Sequence, residues 1–481
     1  MSIGIAGYGV YIPRYRIKRE DIAKAWETGG RGENSVACHD EDVITMATEA
    51  SLNALHHSGI DGSSELGAIY LGTDSCSHVE HSSLGIIGEV LRAKEEIDLA
   101  DFTASPRASL AAFKACLDAI KSKRISYGLV IGSEARSVAP GSSEEINCGD
   151  GAAALVLGCE DTIADVEEVY TCSSYIADRW RNINAPYLQE YEPRFTRDYG
   201  YHRHILKAAK GLLDKLGAHI SDFHHVVMQQ PDVRMTKASA KALKMEAKQT
   251  QVGDLFGVTG DLGAASVFMG LAAVLDKAKP GESILALSYG SGVSDAVALR
   301  VTGRIHEIRE KARTVEFYLK SKRYIDGYVN FAKMKGALAR STSPTKIGLT
   351  PASSALWRDG RDIRQLSGAK CVKCGYVNYP PSIRKICIRC GDTEFENVEL
   401  SRKGRVHTYC ISLYVPAPLK SPMPIVIADL EDGNRYRALG TEIRGDEDIK
   451  IDMPVELVLR NILTEDGLGI YGNVFRPLRE S

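Results

Sequence analysis

Four of the eleven cysteines stand in two Cys-x-x-Cys-Gly knuckles: Cys371, Cys374 and Gly375, then Cys387, Cys390 and Gly391. Twelve residues separate Cys374 from Cys387. Thiolates at this spacing converge as a tetrahedral set for Zn²⁺. The glycine after each pair permits the turn that brings backbone N–H groups toward sulfur. A redox dithiol would stand at a helix N-terminus or in a strand–helix–strand unit, and neither pattern flanks these pairs. Four cysteines close the coordination sphere. The expected Zn²⁺ is therefore structural, folding a segment too small to build its own core.

A second group crowds polar chemistry into six residues, Cys76-Ser77-His78-Val79-Glu80-His81. His78 and His81 are candidates for acid–base work, and a solvated loop is the plain alternative. Spacing alone does not make this segment a metal site. The other cysteines read as small apolar residues of a reducing cytosol. Cys116 falls at core spacing in a helical pattern. Cys148, before Gly149-Asp150-Gly151, is a candidate cavity residue.

The elements that must position these groups follow from the hydrophobic pattern. A chain of 481 residues exceeds one ordinary domain and predicts two or three. In the first half, 66–73 (LGAIYLGT) is an apolar strand and 107–122 has helical spacing, with Leu110, Phe113, Leu117 and Ile120 near one face. Strands 127–133 and 151–158 complete the unit. The second half repeats that order: strand 225–230, a small-residue helix over 263–278, then strands 283–291 and 294–302. The repetition predicts a duplicated α/β domain with sheets covered on both faces. Residues 303–370 read as helical pieces and then a linker rich in Ser, Thr and Pro. From Gly404 onward short strands between Gly, Asp and Pro turns suggest a small β-barrel.

Composition removes several function classes. A net charge of −2 gives no global basic field for nucleic acid. No apolar run approaches the roughly 18–20 residues needed to cross a bilayer. The N-terminus reads as a first strand rather than a signal peptide, so the expected location is cytoplasmic.

Three stretches carry a family resemblance. Residues 7–26 (GYGVYIPRYRIKREDIAKAW) and 33–50 (ENSVACHDEDVITMATEA) resemble the start of archaeal-type 3-hydroxy-3-methylglutaryl-CoA synthases, and 270–299 (GLAAVLDKAKPGESILALSYGSGVSDAVAL) resembles the end of that domain. The resemblance covers roughly residues 1–335. It implies the thiolase fold with αβαβα layers, a CoA thioester as substrate or ligand, and a homodimer. From about residue 340, CVKCGYVNYPPSIRKICIRCG (371–391) and the β-rich tail resemble acyl-CoA-associated proteins with a rubredoxin-like zinc ribbon and an OB-fold. Such proteins accompany thiolases, so a separate thiolase subunit is an expected partner. The expected boundaries are 1–165 and 166–335 for the two thiolase-like halves, 336–365 for the linker, 366–400 for the ribbon and 401–481 for the OB-fold.

A synthase of this family uses a Glu base, a nucleophilic Cys, a His and an Asn. A thiolate at a helix N-terminus takes the acyl group, His and Asn hold the thioester oxygens, and Glu removes a proton from the incoming acetyl group. The resemblance places Asp74 at the Glu position, Gln229 at the His and Asp261 at the Asn. The Cys position falls on Pro106, with Ser105 beside it. Ser105 has a functional reading, as a substitute nucleophile, and a structural one, as N-cap of a helix that Pro106 begins. Three functions follow as expectations. The first is carbon–carbon bond formation between acyl-CoA units. The second is a cysteine-independent aldol or retro-aldol step on a β-hydroxyacyl-CoA. The third is a non-catalytic CoA-binding subunit of a thiolase complex. A nucleic-acid role for the tail is discounted, because it mixes both charge signs and offers few stacking aromatics.

Overall fold

The computed structural model describes residues 2–76, 78–182, 184–338, 352–381, 385–415, 421–445, 448–465 and 467–479. They form two compact units: one over most of the first 338 residues, the other built from Glu89–Arg92 and the described part of Ala339–Glu480.

The larger unit is organised by nine strands in one hydrogen-bonded order: His225–Met228, Ser283–Gly290, Val293–Val301, Ala164–Ser173, Gly4–Tyr11, Gly151–Gly158, Tyr127–Glu134, Leu66–Gly72 and Asp98–Phe102. The duplication is explicit in this order. Leu66–Gly72 runs parallel to Tyr127–Glu134, which pairs antiparallel with Gly151–Gly158, and that strand pairs antiparallel with Gly4–Tyr11. His225–Met228, Ser283–Gly290, Val293–Val301 and Ala164–Ser173 repeat the same senses. Within this sheet the halves pair at two positions, Gly4↔Asp165 and Ile5↔Ala164. Asp98–Phe102 is an extra outer strand of the first half.

The covered faces explain the apolar strands. Gly151–Gly158 and Ser283–Gly290 are buried at every position. The helix expected over 107–122 forms as Ala108–Lys121 and buries Leu110, Phe113, Leu117 and Ile120. It begins two residues after the Ser105-Pro106 start expected from sequence; Arg107 is its N-cap residue and makes no side-chain cap. Cys116 is buried in it, and burial raises its thiol to about 12. The small-residue stretch of the second half becomes a short 3₁₀ turn, Gly263–Ala265, and the helix Ser266–Leu275, buried throughout. Glycine permits the closest approach: a Cβ on Gly72 would lie 2.2 Å from the Ser109 backbone nitrogen. After the last strand come the short helices Ile305–Ile308, Val315–Lys320 and Gly327–Met334. No described helix is long and apolar enough to cross a membrane.

Part of the expected linker, 339–351, lies outside the described residues. Its remainder includes the helix Ser353–Gln365, which ends in left-handed Leu366 (φ +53°). The ribbon follows as a three-stranded sheet, Val377–Asn378, Ser367–Cys371 and Phe395–Glu399. The tail forms a five-stranded sheet in the order Arg435–Leu439, Met423–Leu430, Lys403–Ser412, Pro454–Glu465 and Leu468–Pro477. A bridge between Gly440 and Phe475 brings its two outer strands together, closing the barrel around Val406, Val426, Leu457 and Phe475.

The barrel unit also buries charge. The Glu442 side chain is 1% exposed and accepts from Arg479 Nη2 at 2.9 Å, with Arg460 Nη2 at 3.6 Å. Burial alone would raise its pKa, but Arg479, Arg476 and Arg460 outweigh this and hold it well below the carboxylate range. A carboxyl depressed in the folded state stabilises above its unfolded pKa of about 4.3, and that contribution is lost as pH falls. Glu442→Gln is therefore expected to cost about 3–5 kcal/mol at neutral pH, because it leaves buried guanidiniums uncompensated. Urea unfolding followed against pH checks both claims. A variant as stable as the parent at pH 7, with the same acid slope, would contradict them.

Candidate functional site

Parallel pairing of Leu66–Gly72 with Tyr127–Glu134, in register at Gly72 and Gly132, releases two polar turns side by side. One turn carries Asp74 and Ser75; beside it stand Glu134, the last residue of its strand, and Arg136 in the turn that follows. Ligand sites of α/β sheets lie outside the carboxyl ends of such strands. In the second half, Gln229 follows the equivalent strand His225–Met228, and Asp261 precedes the 3₁₀ turn Gly263–Ala265.

These groups gather around one buried guanidinium. Arg136 donates to both oxygens of Asp74, Nε to Oδ1 at 3.2 Å and Nη2 to Oδ2 at 3.1 Å. Its Nη1 donates to Asp261 Oδ2 at 2.8 Å. Glu134 Oε2 lies 4.0 Å from Nη2, and Cys148 Sγ lies 4.0 Å from Nη1. Asp261 Oδ1 accepts from the Gly263 N–H at 2.9 Å. Gly263 is required where it stands: its φ is +50°, and a Cβ would come within 2.4 Å of Glu134 Oε2 and 2.5 Å of Arg136 Nη2. Gln229 joins through Gly263, donating from Nε2 to its carbonyl at 2.7 Å, while Gln229 Oε1 is buried with no hydrogen-bond partner among the described residues.

Burial raises the Glu134 carboxyl well above its ordinary range, and the adjacent Asp74 charge pushes it further, against the opposing pull of Arg136. Burial would raise Asp74 too, but Arg136 reverses the sign and holds it below its ordinary value. Two adjacent carboxyls thus divide into an anion and a proton holder. Ser75 donates to Glu134 Oε1, and Ala264 N–H donates to Oε2 at 3.0 Å. Cys148 is kept as a thiol, burial raising it to about 12 despite Arg136.

A carboxyl whose folded pKa is raised stabilises below its unfolded pKa and loses that contribution as pH rises through the folded value. Glu134→Gln imitates the protonated acid. It is expected to keep or increase stability above pH 7 and to flatten the alkaline decline seen in thermal melts at several pH values. A variant less stable than the parent at high pH would overturn the assignment of the proton to Glu134.

The remaining sequence candidates lie elsewhere. Ser105 sits before the helix Ala108–Lys121 and faces Gly290, where a Cβ would meet Ser105 Oγ at 2.1 Å. The neighbouring Arg107 is tied to buried Asp295 at 2.7 Å, which fixes this helix start. His78 and His81 pack edge to face, ring centroids 5.1 Å apart, in a cavity of about 240 Å³ lined also by Thr73, Cys76, Asp101 and Thr103. Ser77 is outside the described residues. Sequence reasoning missed Glu134 and Arg136. The available signal was Glu134, the one charged residue of an otherwise uncharged strand and its last position, with Arg136 two residues on.

In the smaller unit the four knuckle cysteines converge: Cys371 Sγ lies 3.5 Å from Cys390 Sγ, and Cys374 Sγ 3.6 Å from Cys387 Sγ. These separations exceed the roughly 2.05 Å of a disulfide. They approach the roughly 3.8 Å edge of a tetrahedron with Zn–S near 2.3 Å. Gly375 and Gly391 adopt φ of +71° and +79°, and each donates its N–H to the carbonyl of the knuckle's first cysteine at 2.9 Å. The donor set fits Zn²⁺, which these four thiolates would hold. A second group, Cys38, His39 and Asp40, also places ligand atoms within 4.8 Å of one another.

Comparison with known proteins places the chain. Over 344 residues it is 39% identical to the hydroxymethylglutaryl-CoA synthase of Methanothermobacter thermautotrophicus, covering 70% of this chain and 99% of that one. The chain belongs to the hydroxymethylglutaryl-CoA synthase family. The synthase of Methanosarcina barkeri is 37% identical over 352 residues, covering 71% of this chain and all of that one. Residues 213–301 match the C-terminal domain of 3-oxoacyl-[acyl-carrier-protein] synthase III. The added part matches two further families: residues 358–396 the ChsH2 rubredoxin-like zinc ribbon, and 397–460 the ChsH2 C-terminal OB-fold.

Solved structures carry the fold. MvaS in complex with 3-hydroxy-3-methylglutaryl coenzyme A superposes with a TM-score of 0.65 at 18% identity, over 73% of this chain and 95% of that one. An HMG-CoA synthase complexed with CoA gives 0.63 at 17% identity, over 71% and 92%. The larger unit is a thiolase-type fold and the smaller a zinc ribbon followed by an OB-fold. In this member of the synthase family, Asp74, Asp261 and Gln229 converge on Arg136 and Gly263, whereas Ser105 faces Gly290.

Proposed function

We propose that this chain binds a CoA thioester in its synthase-like unit, does not condense acyl groups by the cysteine route, and serves as the CoA-binding partner of a separate catalytic thiolase. The observation that carries this reading is the Arg136 clamp, which occupies both oxygens of Asp74 and one of Asp261. A general base must offer a free, sufficiently basic lone pair to the proton it removes. The guanidinium occupies Asp74 and lowers its basicity. The turn before the helix Ala108–Lys121 holds Thr103, Ser105 and Pro106 but no thiol. Gln229 has no titratable nitrogen to accept the proton of Ser105. Support for CoA comes from the family and from relatives whose structures hold CoA or its thioester. The ribbon and OB-fold are the adaptor toward the thiolase. A second copy would pair along Asp98–Phe102, the outer strand, where Leu99 is exposed and a free edge offers ladder groups.

One observation favours a second reading. The Glu134 carboxyl, pushed up by burial beside an Asp74 that Arg136 holds down, resembles an acid–base pair for a cysteine-independent aldol step, with Arg136 to stabilise an enolate.

The deciding experiment incubates the purified chain, alone and with any copurifying thiolase, with acetyl-CoA and acetoacetyl-CoA, alongside calorimetric titration of acetyl-CoA. The expected result is binding without condensation product from the chain alone, and activity beside the partner. Product from the chain alone, with an acyl adduct on Ser105, would overturn the proposal. Cleavage of a β-hydroxyacyl-CoA by the chain alone would select the aldol reading.

A further inference from the structure

Ser174, in the loop after strand Ala164–Ser173, and His204, in the helix Arg203–Leu216, form a second set of reactive groups, unconnected by any direct hydrogen bond to the Arg136 cluster among the described residues. Ser174 is exposed, and its Oγ lies 2.6 Å from Nε2 of His204. His204 is 2% exposed, and its Nδ1 lies 2.6 Å from the Gly200 carbonyl oxygen. A carbonyl oxygen only accepts. In the neutral imidazole the proton must therefore sit on Nδ1, leaving the Nε2 lone pair to receive the Ser174 O–H. A hydroxyl, a base within hydrogen-bond reach and a third group orienting the base are the parts of an activated nucleophile.

The fold makes the arrangement stiff. Thr196–His202 is a π-helix that runs directly into the α-helix Arg203–Leu216. Such widened turns recur at functional sites. Here the Gly200 carbonyl accepts from the His204 ring. That ring packs near Tyr289, centroids 5.6 Å apart, and the Tyr289 hydroxyl donates to buried Asp178. Ser174 is pinned from below. Its N–H donates to the Gly292 carbonyl at 2.9 Å, and a Cβ on Gly292 (φ +76°) would come within 2.2 Å of the Ser174 carbonyl oxygen. Gly292 closes the same hairpin whose Gly290 faces Ser105. The pair therefore stands beside the turn that leads into the helix Ala108–Lys121. Ser174 is an exposed residue, while the ring that receives its proton is buried and held in one tautomer by the Gly200 carbonyl.

We propose that Ser174 and His204 form a serine nucleophile–base pair that hydrolyses acyl thioesters or activated esters, an activity separate from the Arg136 cluster. As Ser174 Oγ bonds to the acyl carbon, its proton passes to His204 Nε2. The C–S bond breaks and the departing thiolate takes that proton from Nε2. Water then bonds to the acyl carbon, giving a proton to Nε2. Ser174 Oγ leaves and recovers that proton, releasing the carboxylic acid. No oxidation change occurs, and water is the only added reactant.

The test treats the full chain with a fluorophosphonate ester and maps adducts by peptide mass spectrometry, beside thiol release from acetyl-CoA. The expected result is one adduct on Ser174, absent in Ser174→Ala. Labelling and thiol release should slow by about 100-fold or more in His204→Asn, the usual weight of a general base. Thermal melts of Ser174→Ala separate loss of chemistry from loss of fold. An unlabelled Ser174 in the parent protein overturns the proposal however the His204 variant folds. So does labelling that proceeds at the parent rate in a folded His204→Asn. Failure here leaves the CoA-binding proposal untouched, because fluorophosphonate labelling reads no CoA affinity.

Discussion

Arg136→Met is expected to destabilise the larger unit by about 3–5 kcal/mol, the scale for removing one partner from a buried ion pair. The side chain fills a buried position, and methionine keeps much of its apolar stem. What vanishes is the charge shared by Asp74 and Asp261, with Glu134 4.0 Å from Nη2. Burial then dominates at Asp74 and raises its pKa. This reverses a sign. In the parent, depressed Asp74 stabilises above its unfolded pKa of about 3.9 and loses that contribution on acidification. In the variant, acid should partly restore stability, because protonation removes the uncompensated charge. Urea unfolding at pH 7.5 and 5 measures both. A loss below about 1 kcal/mol, or a loss equal at the two pH values, would show that the clamp does not balance these carboxylates. Adding Asp74→Asn to Arg136→Met should recover part of the loss, since neighbouring substitutions in one network are not additive.

Removal of the knuckle metal is expected to have the other large effect. Apparent Zn²⁺ affinities of about 10–16 kcal/mol in small ribbons and fingers are folding free energy, because the site does not pre-exist in the unfolded chain. The ribbon sheet has strands of two and five residues, too short for a core of their own. Cys387→Ala, or chelation in denaturant followed by dilution, should abolish binding of about one Zn²⁺ per chain. Protease should then open residues 366–400 first, while the larger unit melts as before. Elemental analysis and limited proteolysis read the two consequences. A metal-free protein with the same proteolytic pattern would show that the four cysteines need no ion.

The sequence by itself determined the elements and their repetition. Apolar runs at 66–73, 127–133 and 151–158 read as doubly covered strands, and their recurrence at 225–230, 283–291 and 294–302 predicted the duplicated domain. The knuckles were equally legible, because metal-ligand spacing is local: two Cys-x-x-Cys-Gly turns each fix their own geometry. The helix Ser353–Gln365 was hidden inside a stretch read as linker. Its sequence is polar, with Leu356, Trp357 and Ile363 as its large apolar residues, and its company of Ser, Thr and Pro outweighed them.

Tertiary structure alone decided the character of the site. Asp74 and Asp261 are 187 positions apart in the chain. Nothing local says that the side chain reaching both is Arg136, or that Gly263 leaves the space for it. The pairing arises because parallel strands release their turns at the same sheet end and the duplicate half brings Asp261 to that end. The same applies to Ser174 and His204, joined across thirty residues by a π-helical turn. Secondary structure is written in short-range periodicity, whereas electrostatic partnership depends on which distant ends a folded sheet brings together.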